Sequence, residues 1–353
     1  MTGAVMDPAE AWHAFLEEFR HFGGRAENVI QRKGPLGFGL FPIDPELPVE
    51  VVVPKPLLVP ADNVELVDGD AVIREDSAFP EGYADWFRRY QASYSWGAEG
   101  RENTLAFEEG LKNLPDELQT VMMRVGLYNA ENRFPGTDVD QEVMKRFVLT
   151  RCIRKKDRRL IMPMIELLNH APSAKPYDMS DEGIAVTGMH DGEVLAKYSN
   201  ADPMRRLIAY GFNAPEPFGF SLSFQLQHRD RQIVVQGGNN PKPMQPCEIE
   251  LKNERVVLKQ PLMASVSSPK MPRTLLIKSC RSLEGIDAHE LFDQIHQRNT
   301  MVLIRMLREL ENVEGDVAQL LRTGCLNQLA ALSHHYGQRD DLLAADAPIA
   351  QPA

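Results

Sequence analysis

The sequence predicts an α+β protein, and three observations carry that reading. Short apolar pieces broken by prolines fill residues 29–60, segments of helical period occupy the middle and the end of the chain, and alternating segments return between residues 183 and 258. Strands and helices are grouped rather than interleaved, which argues against a βαβ array and its parallel sheet.

The elements follow in order. Asp7 is placed to cap a first helix, Pro8 suits its first turn, and Gly23 is placed to end it. Trp12, Phe15, Leu16 and Phe19 recur at helical spacing and give that helix one apolar face. Strand pieces follow at Val29–Ile30, Phe38–Phe41 and 49–54. The prolines at 35, 42, 45, 48, 54, 56 and 60 keep them short. From about residue 66, Trp86, Phe87, Tyr90, Leu105, Phe107, Leu111 and Leu118 among polar residues predict helices. The run ENRFPGTDVD breaks them, and a helix from about Val139 to Arg154 follows, with Val143, Phe147 and Arg151 in one row. An arginine in line with an apolar stripe either snorkels at its edge or reaches into a site.

Asp191-Gly192 between alternating segments predicts a hairpin. Residues 202–212, DPMRRLIAYGF, read as one or two helical turns ended by Gly211. Leu222, Phe224 and Leu226 alternate as in a half-buried strand, and EIELKNERVVL reads as a hairpin around Asn253-Glu254. Asp287 with Glu290 makes a capping-box-like start to a C-terminal helix whose apolar face is Leu291, Ile295, Val302, Leu303, Met306, Leu307 and Leu310. Residues 336–353 are expected to be a disordered tail.

Composition narrows the function. The 353-residue chain is 43% hydrophobic and 25% charged, ordinary for a soluble globular protein long enough for two or three domains. No apolar run approaches the ~20 residues of a membrane span, and the first residues lack a basic region followed by an apolar core, so a signal peptide is not expected. Cys152, Cys247, Cys280 and Cys325 form no CxC or CxxC pair, so no metal site is expected and a reducing cytoplasm fits. A net charge of −11 speaks against nucleic acid as a partner. An acidic surface either steers basic peptides or serves solubility alone.

Three stretches stand out. GPLGFGLFPID, residues 34–44, places glycines at 34, 37 and 39, where a backbone turns sharply or approaches a ligand closely. It lacks the strand–helix context of a dinucleotide fingerprint, and no lysine follows at P-loop spacing. MPMIELLNHAP, residues 162–172, is an interior-like run that ends abruptly on Asn169 and His170. Such polar groups cost roughly 1–3 kcal/mol if buried without partners. They either have internal partners or serve a ligand. VLAKYSNADPMRRLIAYGF carries Tyr198 and Tyr210 twelve residues apart.

In that order these stretches resemble the SET-domain methyltransferases, in particular the branch of the Rubisco large-subunit lysine methyltransferase, whose SET domain carries a helical insertion. GFGL at 37–40 matches that family's GxGL turn. Thr150-Arg151 stands where the family has Ser-Arg. Pro163, Glu166, Asn169 and His170 fall on its P-x-x-D-x-x-N-H, with Glu for Asp. Tyr198 and Tyr210-Gly211-Phe212 fit its tyrosine spacing. Ser199 replaces the glycine usual after the first tyrosine, and Ala201 to Pro203 replace a polar segment containing Ser-Asn.

The resemblance implies a SET-domain β-fold of short strands with a pseudoknot-like crossing, a helical insertion and a C-terminal α-rich domain. It divides the chain into SET parts at 1–65 and 140–215, an insertion at 66–139, a substrate-binding-like domain at 216–335 and the tail. It implies S-adenosylmethionine as cofactor, held by Gly37, Phe38, Gly39, Arg151, Asn169, His170 and Tyr210. Tyr210 is implied as the catalytic tyrosine and Tyr198 as a wall of the lysine channel. The residue-level alternatives are core aromatics with hydrogen-bonded hydroxyls, and an Asn-His pair that satisfies its own backbone neighbours. Glu166 is expected to hold the crossing together rather than act as a base. FGFSLSFQL, residues 218–226, is the segment expected to close the channel. The implied partner is a protein presenting a lysine. A histidine acceptor and a catalytically weak SET-like binding module are the alternatives, and the oligomeric state is left open.

Overall fold

In the computed structural model, which describes residues 7–128, 139–238, 244–252 and 255–334, the first helix runs Pro8–His21. The Asp7 carboxylate accepts from Ala9 N at 2.9 Å, and Gly23, with φ of +94°, turns the chain away after Phe22. Trp12, Leu16 and Phe19 are buried, as their spacing predicts. They meet the Tyr83–Tyr94 helix, where Phe19 stacks on Trp86 at 5.4 Å and Trp12 stands edge-on to Tyr94 at 4.9 Å.

Sheets are small and mostly antiparallel. The Val29–Gly34 and Gly37–Pro42 strands form a hairpin across Pro35-Leu36, in register Gly34 with Gly37. Val49–Pro54 is central in a second sheet, paired with Arg25–Glu27 on one side and Gly183–Gly188 on the other. Val49, Val51 and Val53 are fully buried while Glu50 and Val52 are not, the period-2 alternation of a half-covered sheet. Among the described residues, nine helices and many short strands make an α+β fold, as the sequence predicts.

Two compact units emerge. One takes the described residues within 1–108 and 134–198, the other those within 109–133 and 199–353. Residues 66–139, expected as one helical insertion, are shared between these units, and so is the 140–215 stretch. In the second unit Phe224–His228, Arg231–Gln236, Arg255–Lys259 and Glu248–Lys252 form a sheet in that order, followed in sequence by the helices Met271–Cys280, Ala288–Leu310 and Asp316–Ser333. The strands expected before the C-terminal helices are therefore present. Asp287 accepts from His289 N and Glu290 N, capping the 288–310 helix at its predicted start.

Four expectations need correcting. Asp191-Gly192 does not close a hairpin. Gly183–Gly188 has both edges taken, by Val49–Pro54 and Asp178–Met179, and the downstream strand Leu195–Ala196 instead pairs parallel with Asn169–His170. A hairpin does form at 64–73, where helical character was expected to begin. Val64–Val67 and Asp70–Ile73 pair around Asp68 and Gly69, both at positive φ, the two-residue turn that matches strand twist. The helix over 139–154 stops at Arg151, because Cys152–Lys155 pairs with Arg158–Ile161. Leu222 lies ahead of its strand, which begins at Phe224. The Asn253-Glu254 turn lies outside the described residues, although its flanking strands pair antiparallel with Lys252 opposite Arg255. The expected tail, 336–353, is likewise outside them.

Candidate functional site

The glycine hairpin and the Asn-His pair meet in the first unit. Gly37 takes φ of +94°, which closes the two-residue turn and is costly for any side chain. Two residues on, a Cβ at Gly39 would fall 2.2 Å from Glu193 Oε1 and 2.9 Å from Asn169 Nδ2. A side chain there would have to push the Glu193 carboxylate and the Asn169 amide aside. The Asn169 amide donates to Phe38 O at 3.1 Å and to Glu193 Oε1 at 2.6 Å, joining positions 131 and 24 residues away in sequence. Val194 N donates to Leu40 O at 2.8 Å, so the segment carrying Glu193 is tied directly to the hairpin.

His170 is buried, and its Nδ1 accepts from Tyr198 N at 3.2 Å. Tyr198 turns back over the pair. Its ring lies 5.1 Å from the His170 ring and 6.4 Å from that of Tyr177, and its hydroxyl donates to Leu168 O. The polar end of the apolar run therefore has internal partners, among them the hairpin, Glu193 and Tyr198.

Beneath this pair lies a buried ionisable cluster. Met164 enters the run at φ of +71° and ψ of −50°, a strained conformation for a side chain of this size. It is held by the Tyr90 hydroxyl, which accepts from Met164 N at 2.9 Å. Glu166 accepts from Gln91 Nε2 at 2.6 Å, while its Oε2 has no hydrogen-bond partner. Burial pushes the Glu166 carboxyl up to about 7, against the opposing pull of Arg151 and Gln91. Arg151 folds back along its own helix. Its guanidinium lies 3.8 Å over the Phe147 ring, Nη1 donates to Thr150 Oγ1 at 2.8 Å, and Nε is buried without a partner. Burial lowers its pKa, and the charge of Glu166 works the other way.

Tyr210 belongs to the second unit. It ends the Pro203–Tyr210 helix, which Asp202 caps by accepting from Arg205 N at 2.8 Å and which Gly211 terminates at φ of +78°. The Arg206 guanidinium lies 5.0 Å from the centre of its ring, and the Phe212 ring lies at 6.0 Å. Arg206 is itself fully buried, donating to Glu216 Oε1 at 2.6 Å and to Ser199 O at 3.1 Å.

Glu193, Tyr90 and Gln91 join the site without having stood out in the sequence. Glu193 sits in DGEVLA, where nothing but the register of Leu195–Ala196 against Asn169–His170 aims it at Gly39. Tyr90 and Gln91 read as ordinary helix residues. Among the described residues, no cluster of histidine, cysteine, aspartate or glutamate is arranged to hold a metal ion, and no helix is long and apolar enough to cross a membrane.

No family model and no curated protein matches the chain. Among solved structures it is similar to the SET domain of LSMT bound to lysine and AdoHcy, at 13% identity, over 94% of this chain and 91% of that one, with a TM-score of 0.40. It is also similar to Rubisco LSMT bound to sinefungin and monomethyllysine, at 15% identity over 97% and 92% with a TM-score of 0.43. A third similar structure is Rubisco LSMT bound to AdoMet, at 13% identity over 97% and 92% with a TM-score of 0.41.

Proposed function

We propose that this protein is an S-adenosylmethionine-dependent protein methyltransferase acting on a lysine side chain. The observation that carries the reading is the contact of Asn169 with the glycine hairpin at Phe38 and Gly39. Two of the three SET-like stretches, far apart in sequence, thereby form one small polar cradle.

The cradle's chemistry fits the cofactor's amino-acid end. A carboxylate calls for a cation with an unused donor, and Arg151 Nε is one. An ammonium calls for acceptors, which the Glu193 carboxylate and the Asn169 amide oxygen supply. Bound there, the cofactor supplies an electrophilic methyl group on a sulfonium.

The chain's own residues have to deliver a neutral amine in line with that methyl. Lysine has a pKa of about 10.4 in water, so it must shed a proton, which a narrow apolar channel favours by penalising the ammonium. Alignment of the reacting atoms supplies much of the rate. Tyr210 is assigned to position amine and methyl through its hydroxyl, with weak CH···O contacts as a second-order aid. Tyr198 is assigned to the channel wall, where its ring face attracts a cationic ammonium by roughly 0.5–2 kcal/mol. Glu166 is assigned a structural role, holding Gln91 under the Asn-His segment.

Calorimetric titration with S-adenosylmethionine tests the reading. The parent is expected to bind at one saturable site and Asn169→Ala about tenfold or more weakly, a loss of about 1.4 kcal/mol. Equal affinity removes Asn169 from the site, and no binding by the parent points instead to a SET-like binding module. Tyr210→Phe is expected to keep cofactor affinity within a few-fold while losing most labelled-methyl transfer to protein in a cell extract. Unchanged transfer by that variant ends the role given to Tyr210.

A further inference from the structure

The first unit contains two Asp-Gly dipeptides, and the fold holds them differently. Asp68-Gly69 is the turn of the 64–73 hairpin, with Val67 paired to Asp70 across it. Gly69 O also accepts from Trp96 Nε1 at 3.0 Å, so that turn is fastened a second time. Asp191-Gly192 lies in an exposed bend between Gly183–Gly188 and Leu195–Ala196. Among the described residues, neither the Asp191 carboxylate nor the Gly192 N–H has a hydrogen-bond or ion-pair partner. A Cβ built at Gly192 or at Gly69 would meet nothing within 4 Å. The two dipeptides therefore differ in the hold on their backbone, not in the space around them.

An aspartyl-glycyl bond isomerises without an enzyme where its backbone is free to rotate. The glycine nitrogen bonds to the aspartate Cγ, and the Cγ–OH bond breaks. The hydroxyl leaves with the amide proton as one water. Water then adds to the aspartate main-chain carbonyl carbon of the five-membered imide, and the bond from that carbon to the nitrogen breaks. The chain now runs through Cγ, one carbon longer, and the former main-chain carbonyl has become a carboxylate side chain. One water is lost and one regained, and no oxidant or reductant takes part. Glycine favours the closure because no Cβ hinders its nitrogen. Closure also needs rotation about the aspartate Cα–C bond, which a turn locked between paired strands resists and an unbonded bend permits.

We propose that Asp191-Gly192 is a modification site, where spontaneous isoaspartate formation displaces Glu193 from Asn169. The added carbon falls between two anchors. Gly188 is paired with Val49, and the buried Val194 donates its N–H to Leu40 O at 2.8 Å. Of the residues between those anchors, Glu193 is the one bonded to Asn169, at 2.6 Å, and it packs over Gly39. A longer chain entering Glu193 pulls its carboxylate off the Asn169 amide and strains the Val194–Leu40 bond. The proposal stands independently of methyl transfer. On that reading its consequence is a cofactor cradle that loosens as the protein ages.

The test ages the full chain near neutral pH at physiological temperature, folded and, in parallel, in denaturant. Digestion with a protease that cuts before aspartate but not before isoaspartate, read by mass spectrometry, follows both dipeptides. In the folded chain isoaspartate is expected to accumulate several-fold faster at 191 than at 68. In denaturant the two rates are expected to converge, because both are Asp-Gly. Hydrogen exchange of the 192–196 segment reads the consequence. It is expected to quicken several-fold in the aged parent, through loss of the Val194–Leu40 bond, and to stay unchanged in Asp191→Ala aged beside it. Equal rates at 68 and 191 in the folded chain overturn the proposal. So does an unmodified Asp191 when the denatured chain has converted, or unchanged exchange once most chains carry isoaspartate.

Discussion

Two arginine–carboxylate arrangements in the interior, one in each unit, are built differently. In the second unit Arg206 and Glu216 are both fully buried and bonded at 2.6 Å, and Arg206 also engages Ser199 O and the Tyr210 ring. In the first unit Arg151 and Glu166 feel each other's charge, yet they do not bond. Arg151 donates to Thr150 Oγ1 and Glu166 accepts from Gln91 Nε2 instead. A closed pair of this kind holds structure. An open one keeps hydrogen-bonding capacity at a cost in stability, which is expected where a ligand completes the set.

The largest effect that tests this contrast is on the closed pair. Arg206→Met strands the Glu216 carboxylate in the interior and is expected to cost about 3–5 kcal/mol in denaturant unfolding. Replacing both partners by apolar residues of similar volume is expected to recover most of that. A loss of about 1 kcal/mol or less for the single variant would mean that Arg206 is no more fixed than a surface arginine.

Glu166 gives the next effect. Its folded pKa of about 7 lies above the ordinary 4.5, so the fold favours the protonated form. Below about pH 4.5 the carboxyl is neutral in both states and costs nothing. As pH rises through about 7, the unfolded chain ionises first and stability is lost, by up to about 3 kcal/mol. Glu166→Gln is expected to flatten that decline across pH 4.5–7. Parallel stability-against-pH curves for parent and variant would show that the carboxylate is not held neutral.

Arg151 gives the smallest change in stability and the sharpest distinction. Arg151→Gln is expected to shift unfolding by no more than about 1 kcal/mol, since no bonded carboxylate is stranded. It is expected to weaken S-adenosylmethionine about tenfold, or about 1.4 kcal/mol. The opposite pattern, large destabilisation with cofactor affinity intact, would make the open pair structural like the closed one.

Features of the fold set by neighbours in sequence were legible. The caps at Asp7 and Asp287 and the terminator Gly211 sit within a few residues of the groups they satisfy, so their chemistry is local. The two Asp-Gly dipeptides show where that reading stops. Asp68-Gly69 closes a hairpin and Asp191-Gly192 does not, although the second has the more regular flanks. The turn chemistry is the same. What differs is the supply of partners, because Gly183–Gly188 already has a strand at each edge.

The candidate site divides in the same way. Gly37, Gly39, Arg151, Asn169, His170 and Tyr198 were legible because their types and order are unusual for a solvated loop or a plain core. Glu193 was not, since a lone half-buried glutamate in DGEVLA reads as surface. Arg206 was not either, since in DPMRRLIAY it reads as the polar side of a short helix, yet it is buried. By itself the sequence determined the α+β class, the helix ends at Asp7, Gly211 and Asp287 and which residues invite attention, because these depend on period, capping and local turn preference. Only the tertiary structure decided that Glu193 meets Asn169 over Gly39, that one arginine–carboxylate pair closes while the other stays open, and that Arg124, Arg298 and Arg305 come to line one cavity. Those outcomes depend on strand register and helix packing between segments dozens of residues apart, where local propensity carries no information.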